Sequence, residues 1–149
     1  MINNKIAIVI LTWNSLKYTR RCIESLDLDS LPNEVEVIIV DNGSTDGTIK
    51  YLKKINRITL IENDKNLGYS RAVNMGIWAA QLDADIILLN NDVELIEVDW
   101  LERLANAAYT KNELGIVGVK IIQDNGTLQH CGVYLPIDTY WGQQIAGNE

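Results

Sequence analysis

The sequence predicts an α/β domain with a mostly parallel, Rossmann-like sheet, helices on both faces of that sheet and an antiparallel hairpin at its end. Three observations carry this prediction. Short aliphatic runs alternate with stretches of helical apolar spacing, which is the order of βαβ units. The 149 residues suit one domain, and no linker, repeat or low-complexity tract divides them. We therefore expect a single domain over residues 1–149.

Five aliphatic runs predict the strands. The first, Lys5–Leu11, is unbroken and rich in β-branched residues, which is typical of a strand buried on both faces. The others are expected at Val35–Val40, Ile58–Ile61, Ala84–Leu89 and Leu114–Ile122. The dipeptide Asn125-Gly126 indicates a tight turn, so Thr127–Leu135 is expected to fold back antiparallel.

Helices are predicted between the strands, and Ser15 is expected to cap the first one through its side chain. Within the third helix, we expect Asn74 and Gly76 to pack on the sheet and Trp78 to lie in the core. The four predicted helices cover Leu16–Leu26, Thr48–Ile55, Gly68–Gln81 and Asp99–Lys111.

Composition excludes several classes of protein. Nucleic acid binding needs a cationic face, and because 13 Lys and Arg stand against 20 Asp and Glu, we expect no nucleic-acid partner. The longest apolar runs, such as Ile6–Leu11, are too short to span a bilayer, so we expect no transmembrane segment. Cys22 and Cys131 form no CxxC motif, which argues against a zinc site and favours a reducing, cytoplasmic setting.

Polar residues follow each predicted parallel strand. In open parallel sheets, ligands bind beyond the carboxyl ends of the strands, so these residues are the candidate site. The chain contains neither GxGxxG nor GxxxxGK[ST], so the phosphates of a ligand would need another positive partner. The strand-end segments are Thr12–Asn14, Asp41–Asp46, Asn63–Asn66 and Asn90–Asp92.

Two of these acids have both a functional and a structural interpretation. Asp92 could hold a divalent cation together with phosphate oxygens and waters, or it could simply turn the chain after a strand. Asp41 could accept the N3–H of uracil or thymine, or it could form a turn with the Asn-Gly pair that follows it. Position alone leaves both alternatives open.

Four segments together resemble the N-terminal part of family 2 glycosyltransferases with the GT-A fold, in order and in spacing. The resemblance runs from about Lys5 to Tyr134, and the second segment is the most specific. The Leu89-Asn-Asn-Asp92 form and the later Asp124-Asn-Gly-Thr-Leu-Gln-His130 stretch resemble those of bacterial enzymes that build surface polysaccharides, including rhamnosyltransferase-like members. The segments are Ile8-Val-Ile-Leu-Thr-Trp-Asn14, Val37-Ile-Ile-Val-Asp-Asn-Gly-Ser-Thr-Asp46, Asn66-Leu-Gly-Tyr-Ser-Arg-Ala-Val-Asn-Met-Gly76 and Ile87-Leu-Leu-Asn-Asn-Asp-Val93.

The resemblance implies a role for each residue of a nucleotide site. Asp41 would bind the pyrimidine, and Asn91 would lie near the ribose. Asp92 would hold Mg²⁺ or Mn²⁺, although the Asn90-Asn91-Asp92 stretch has one carboxylate where the family pattern is more acidic. The helix N-terminus after Asn66 could favour phosphate. The remaining nucleotide-binding candidates are Thr12, Asn14, Ser44, Thr45, Gly68 and Arg71.

The implied activity is metal-assisted, inverting transfer of a sugar from a UDP- or dTDP-sugar to a glycan or lipid-linked acceptor. The alternatives are a sugar nucleotidyltransferase and a non-catalytic nucleotide-sugar-binding module. The catalytic base of the family follows this region, so we expect it beyond Glu149 and assign none. A C-terminally truncated domain would expose apolar sheet surface and could self-associate. The full-length protein could work at the inner membrane surface.

Overall fold

A computed structural model of the protein describes residues 5–110, 114–131, 133–134 and 143–144. The chain divides into two compact units, Met1–Val98 and Asp99–Glu149, and each is described by itself. The single domain over residues 1–149 stays a prediction. No helix in the described part of the chain is both long enough and apolar enough to cross a membrane.

The first unit is built on a four-stranded parallel sheet with the order β3-β2-β1-β4. Both neighbours of β1 run parallel to it, and their register places Thr12 beside Asp41 and Leu11 beside Asn90. The predicted parallel α/β fold is therefore confirmed. The strands are β1 (Ile6–Thr12), β2 (Val35–Asp41), β3 (Ile58–Glu62) and β4 (Asp85–Asn90).

Helices lie on both faces of this sheet. Thr12 of β1 contacts Thr19 of the first helix, with their Oγ atoms 2.7 Å apart. Val9, whose side chain points to the opposite face, lies directly under Gly76 of the third helix. The helices are α1 (Leu16–Leu26), α2 (Thr48–Leu52) and α3 (Tyr69–Ala79).

The core of the unit is the aliphatic centre of β1 and β2, where Ile8, Ile10, Ile38 and Ile39 are fully buried. Two predictions for α3 are wrong. Trp78 is 79% exposed instead of lying in the core, and Asn74 is exposed instead of packing on the sheet. Ala72, Val73 and Gly76 form the face that packs on the sheet, and neither Trp78 nor Asn74 belongs to it.

The cap of α1 also differs from the prediction. Ser15 occupies the N-cap position, but its side chain makes no capping hydrogen bond. Its hydroxyl donates instead to the carbonyl of Trp13, at 3.0 Å. The carboxylate of Asp46 accepts the N–H of Leu16 and so takes over the capping role.

Among its described residues, the second unit contains one helix and two short antiparallel strand pairs. Only Ile121–Ile122 of the predicted strand Leu114–Ile122 is a strand, and it pairs with Leu128–His130 outside the parallel sheet. Gly115 and Gly118 interrupt the apolar run, and Ile116 is 92% exposed. The hairpin at Asn125-Gly126 is confirmed. The elements are α4 (Trp100–Ala108), β5 (Ile121–Ile122), β6 (Leu128–His130), β7 (Val133–Tyr134) and β8 (Gln143–Gln144), the last two paired.

Candidate functional site

The candidate site lies at the carboxyl edge of the parallel sheet in the first unit. Thr12 and Asp41 end neighbouring strands, and Asn90 ends the strand on the other side of β1. Because β2 and β4 flank β1, their ends lie about 10 Å apart, which is two strand spacings. The segments that carry Asp41 and Asp92 thus meet at one rim.

Asp41 is fully buried at this rim, with 0% of its surface exposed. One carboxylate oxygen, Oδ1, accepts the backbone N–H of Ser44 at 2.7 Å. The other, Oδ2, is buried and has no hydrogen-bond partner among the described residues. An unpaired buried oxygen of this kind is costly, and a ligand that donates an N–H would remove the cost.

The loops after β1 and β2 are joined by hydrogen bonds between predicted site residues. Asn14 donates its backbone N–H to Ser44 Oγ at 2.8 Å. In return, the side-chain oxygen of Asn14 accepts the backbone N–H of Thr45 at 2.7 Å. These three residues therefore hold the two loops together as one wall of the rim.

Asp46 is a structural residue whose function sequence reasoning missed. Its Oδ2 accepts the N–H of Leu16 at 2.9 Å, and its Oδ1 accepts the Thr48 hydroxyl at 2.6 Å and the Thr48 N–H at 3.1 Å. Burial raises the pKa of Asp46, but the hydrogen bonds from Thr48 and Leu16 outweigh that effect and hold the pKa below 3.8. The signal in the sequence is an acid two residues before a threonine at a helix start.

A second missed feature is a cluster of three asparagine side chains behind the β3–α3 loop. Asn42, which is 2% exposed, donates from Nδ2 to Asn66 Oδ1 at 2.9 Å. Its own Oδ1 accepts from Asn63 Nδ2 at 3.2 Å and from the N–H of Leu67 at 2.9 Å. The cluster fastens this loop to the end of β2.

Gly43 lets the same loop approach closely. Its φ is +81°, and a Cβ at this position would lie 2.7 Å from the Cα of Lys65. A side chain at residue 43 would therefore push the β3–α3 loop away from β2. The Asn-Gly pair after Asp41 is needed for this packing as well as for the turn.

The start of α3 carries the other predicted phosphate-side residues. Asn66 Oδ1 accepts the N–H of Gly68 at 2.8 Å, and Gly68 is the N-cap without any side-chain capping bond. The first N–H groups of α3 are thus uncapped by side chains and could bind an anion. Arg71 is exposed in the first turn of the helix.

The segment after β4 is held against α1. Asn91 Nδ2 donates to Thr19 Oγ1 at 2.9 Å and to Thr12 Oγ1 at 3.3 Å. Its amide nitrogen is therefore engaged with the protein and is not free for a ribose. Asp92, the next residue, is exposed.

Cys22 of α1 lies behind Asp92 and is fully buried. Its Sγ donates to the carbonyl of Asn90 at 3.5 Å. Burial, and then the negative charges of Asp92 and Glu94, raise the pKa of the Cys22 thiol to about 12. The thiol therefore stays protonated and is not a nucleophile at neutral pH.

A cavity of about 250 Å³ opens beside Asp92. Two aromatic residues that the sequence analysis did not select line it, Trp13 with 51% and Tyr69 with 58% of its surface exposed. Exposed aromatic rings beside a cavity offer flat stacking surfaces. Trp13 stands between Thr12 and Asn14, which were both selected as site residues, and this position could have identified Trp13 as one too. The rest of the lining is Val9, Leu11, Val73, Leu88, Leu89, Asn90, Asn91 and Asp92.

The residues at the rim fit one kind of metal site. No group of three or more His, Cys, Asp or Glu in the described ranges could hold a metal by itself. Asp92 offers a single exposed carboxylate. This donor set suits a hard cation such as Mg²⁺ or Mn²⁺, which keeps several waters and shares phosphate oxygens with a substrate.

A parallel α/β sheet with acids, amides and a cavity at its carboxyl edge defines the class of nucleotide-binding α/β domains. The family model for glycosyl transferase family 2 matches residues 7–136. The chain therefore belongs to glycosyl transferase family 2, and its fold is GT-A.

Solved structures of the same fold include S. aureus TarS 1-349 in complex with UDP-GlcNAc. It is 26% identical with a TM-score of 0.59, and the match covers 68% of this chain and 30% of TarS 1-349. The mannosyltransferase PcManGT from Pyrobaculum calidifontis, in complex with GDP-Man and Mn²⁺, is 22% identical with a TM-score of 0.60. That match covers 70% of this chain and 31% of PcManGT.

Among curated relatives, the O-antigen biosynthesis protein RfbC of Myxococcus xanthus is 30% identical over 143 residues, which is 93% of this chain. The chain spans only 11% of the length of RfbC. It likewise spans 15% of the 31%-identical y4gI protein of Sinorhizobium fredii. The chain thus corresponds to a small part of these relatives.

Proposed function

We propose that this chain binds the nucleoside diphosphate of a UDP- or dTDP-sugar and serves a glycosyltransferase that passes the sugar to a glycan or lipid-linked acceptor. The observation that carries the proposal is the unpaired, fully buried Oδ2 of Asp41. A carboxylate oxygen accepts the N3–H of uracil or thymine; cytosine N3 carries no hydrogen, and guanine presents its N1–H from a larger ring, beside a second donor. TarS, which has the same fold, binds UDP-GlcNAc.

The aromatic residues beside the cavity support a base site. Trp13 follows Thr12 at the end of β1 and lines the cavity beside Asp92, so an exposed aromatic surface is available to a base at this rim. Base–aromatic stacking contributes about 1–3 kcal/mol per base. The base would thus gain specificity from Asp41 and contact area from Trp13.

Charge supports a cationic partner for the diphosphate. The chain has a net charge of −7, so it repels an anionic ligand unless positive groups stand nearby. Arg71 and the uncapped start of α3 could provide part of this positive charge, with Asn66 and Gly68 shaping the approach. Asp92 would hold Mg²⁺ or Mn²⁺, which supplies charge that stabilises the leaving diphosphate.

Inverting transfer forms a bond from an acceptor hydroxyl oxygen to the anomeric carbon of the sugar, on the face opposite the departing nucleoside diphosphate. A base takes the hydroxyl proton. We assign no residue of this chain as that base. RfbC is an O-antigen biosynthesis protein, which favours a glycan or lipid-linked acceptor for this chain too.

Calorimetric titration of UDP, dTDP and GDP, with and without Mn²⁺, tests the proposal. We expect UDP and dTDP to bind alike and GDP at least about tenfold more weakly, which corresponds to roughly 1.4 kcal/mol. Asp41→Asn should weaken UDP binding by a similar factor, because an amide N–H would then face the base N3–H. Asp29→Asn, an exposed change away from the rim, is the control.

The Asp92→Ala variant tests the proposed metal site separately from the base site. It should remove the gain in UDP affinity that Mn²⁺ gives and leave metal-free binding unchanged. Equal binding of GDP and UDP would contradict the role of Asp41. A preference for triphosphates would favour the nucleotidyltransferase alternative.

A further inference from the structure

Thr19 is a buried polar residue in the middle of α1. It is 0% exposed and shares the inner face of the helix with Cys22, Ile23 and Leu26. A buried hydroxyl must be hydrogen-bonded to avoid a large desolvation cost. The hydroxyl of Thr19 finds its partners outside its own helix, in the strand-end residues of the rim.

Three side chains form a closed set of hydrogen bonds here. Thr19 Oγ1 lies 2.7 Å from Thr12 Oγ1, and Asn91 Nδ2 donates to both hydroxyl oxygens, at 2.9 Å and 3.3 Å. The amide nitrogen of Asn91 faces two hydroxyl oxygens that are themselves hydrogen-bonded to each other, and these contacts hold the Asn91 side chain against β1 and α1. Its oxygen then points away from the two hydroxyls.

Other contacts hold the same segment against α1. Leu95 donates its N–H to Ser25 Oγ at 3.1 Å, and Arg21 forms an ion pair with Glu94 at 2.6 Å. That ion pair is nearly half exposed, so water screens it and it adds little rigidity. The Thr19–Asn91 hydrogen bond, which is partly buried, joins α1 to the residue next to Asp92.

We propose that Thr19 is a positioning residue for the metal-binding carboxylate of Asp92, and that it acts through the Asn91 amide. The proposal rests on the proposed function, since it assumes a cation at Asp92. Thr19 fixes Asn91, and Asn91 fixes the backbone that carries the carboxylate. Hydrogen-bonded groups behind a metal site commonly set the orientation of its ligands and hence the metal affinity, and Thr19 would do so through Asn91 and the backbone.

The test measures Mn²⁺ binding to the full chain in the presence of saturating UDP, by electron paramagnetic resonance of the free ion. Thr19→Val keeps the shape of the side chain and removes the hydroxyl. We expect it to weaken Mn²⁺ binding about tenfold. Thr19→Ser, which keeps the hydroxyl, should restore wild-type affinity. UDP binding without metal should be unchanged in both variants.

Ile23→Val is the matched control, because it loosens the packing of the same buried helix face without touching a polar atom. A merely structural role for Thr19 would make Thr19→Val and Ile23→Val alike in Mn²⁺ affinity, and that result would overturn the proposal. If wild-type protein binds UDP without any effect of Mn²⁺, the proposed metal site itself fails. These two outcomes are distinguishable.

A double-mutant cycle tests whether Thr19 acts on Mn²⁺ affinity through Asn91. Asn91→Ala should weaken Mn²⁺ binding as Thr19→Val does, and the double variant should be no weaker than either single one. Additive losses would mean that Thr19 acts by another route, which would contradict the proposal. If Thr19→Val does not fold, the Asn91→Ala variant tests the proposal by itself. An unchanged Mn²⁺ affinity in that variant would overturn the proposal.

Discussion

Asp46 joins α1 and α2 through one carboxylate, so its charge state bears on the stability of the fold. Its pKa is lowered below 3.8 in the folded protein. A lowered carboxyl pKa stabilises the folded state above the unfolded-state value and loses that effect as pH falls through the folded value. The stabilisation should thus be complete near neutral pH and be lost in the acid range, as the pH falls through the lowered pKa of Asp46.

Asp46→Asn leaves one acceptor oxygen where two are used, and it should lower the free energy of unfolding by about 1–2 kcal/mol at neutral pH. Urea unfolding of both proteins across the acid range checks this. The difference should shrink as the pH falls through the lowered pKa of Asp46, because Asp46 becomes protonated and only the wild type changes. A difference that stays constant over that range would contradict the assignment.

At the residue scale, the sequence predicted where the site residues lie better than it predicted their hydrogen-bond partners. Asp41, Ser44, Thr45 and Asn14 meet at one rim as their strand-end positions required. The Ser15 cap was wrong because Asp46, 30 residues away from Leu16, supplies a stronger acceptor through tertiary contact. Whether the predicted nucleotide and metal residues bind those ligands stays a prediction.

At the scale of elements, α3 can pack closely on the sheet because residue 76 has no side chain. A Cβ at Gly76 would lie 2.4 Å from Val9 Cγ1 and 3.1 Å from Val40 Cγ2. Gly76→Ala should therefore force α3 outward and destabilise the protein by about 1–3 kcal/mol. Thermal and urea unfolding measure the loss.

Two further variants show whether the close approach is the cause. Asn74→Ala lies on the exposed side of the same helix and should change stability little. Val9→Ala removes the methyl group that the new Cβ would meet, so the Gly76→Ala and Val9→Ala losses should sum to more than the loss in the double variant. Strict additivity would exclude the steric explanation.

Elements were predicted well where one pattern dominates. The aliphatic runs predicted β1 to β4 within about a residue, and α1 was predicted at its observed bounds. Most of the strand expected at Leu114–Ile122 does not form. Its two glycines lower the strand propensity of a run that is otherwise apolar in composition. Trp78 was wrongly predicted to lie in the core. The face of α3 that packs on the sheet is narrow, and Trp78 lies outside it.

At the scale of the whole molecule, β4 leaves an apolar surface uncovered. Ile86 and Leu88, which point to the face that carries α3, are 37% and 51% exposed, and β4 is an edge strand of the sheet. Exposed apolar residues on an edge strand favour pairing with another copy. We expect concentration-dependent self-association of this chain.

Size-exclusion chromatography with light scattering tests the expectation. Ile86→Lys should shift the average mass towards that of a monomer at high concentration, because it places a charge on the exposed strand. Thr59→Lys makes the same kind of change on the opposite edge strand, β3, and should have no such effect. A wild-type protein that stays monomeric at all concentrations would contradict the expected self-association.

The position of Cys22 has a chemical consequence for handling the protein. Alkylating or oxidising reagents attack thiolates, and this sulfur is both shielded and protonated. Cys131, which is exposed, would meet such reagents first. A dye attached through maleimide chemistry would therefore label residue 131 and leave the helix behind Asp92 unmodified.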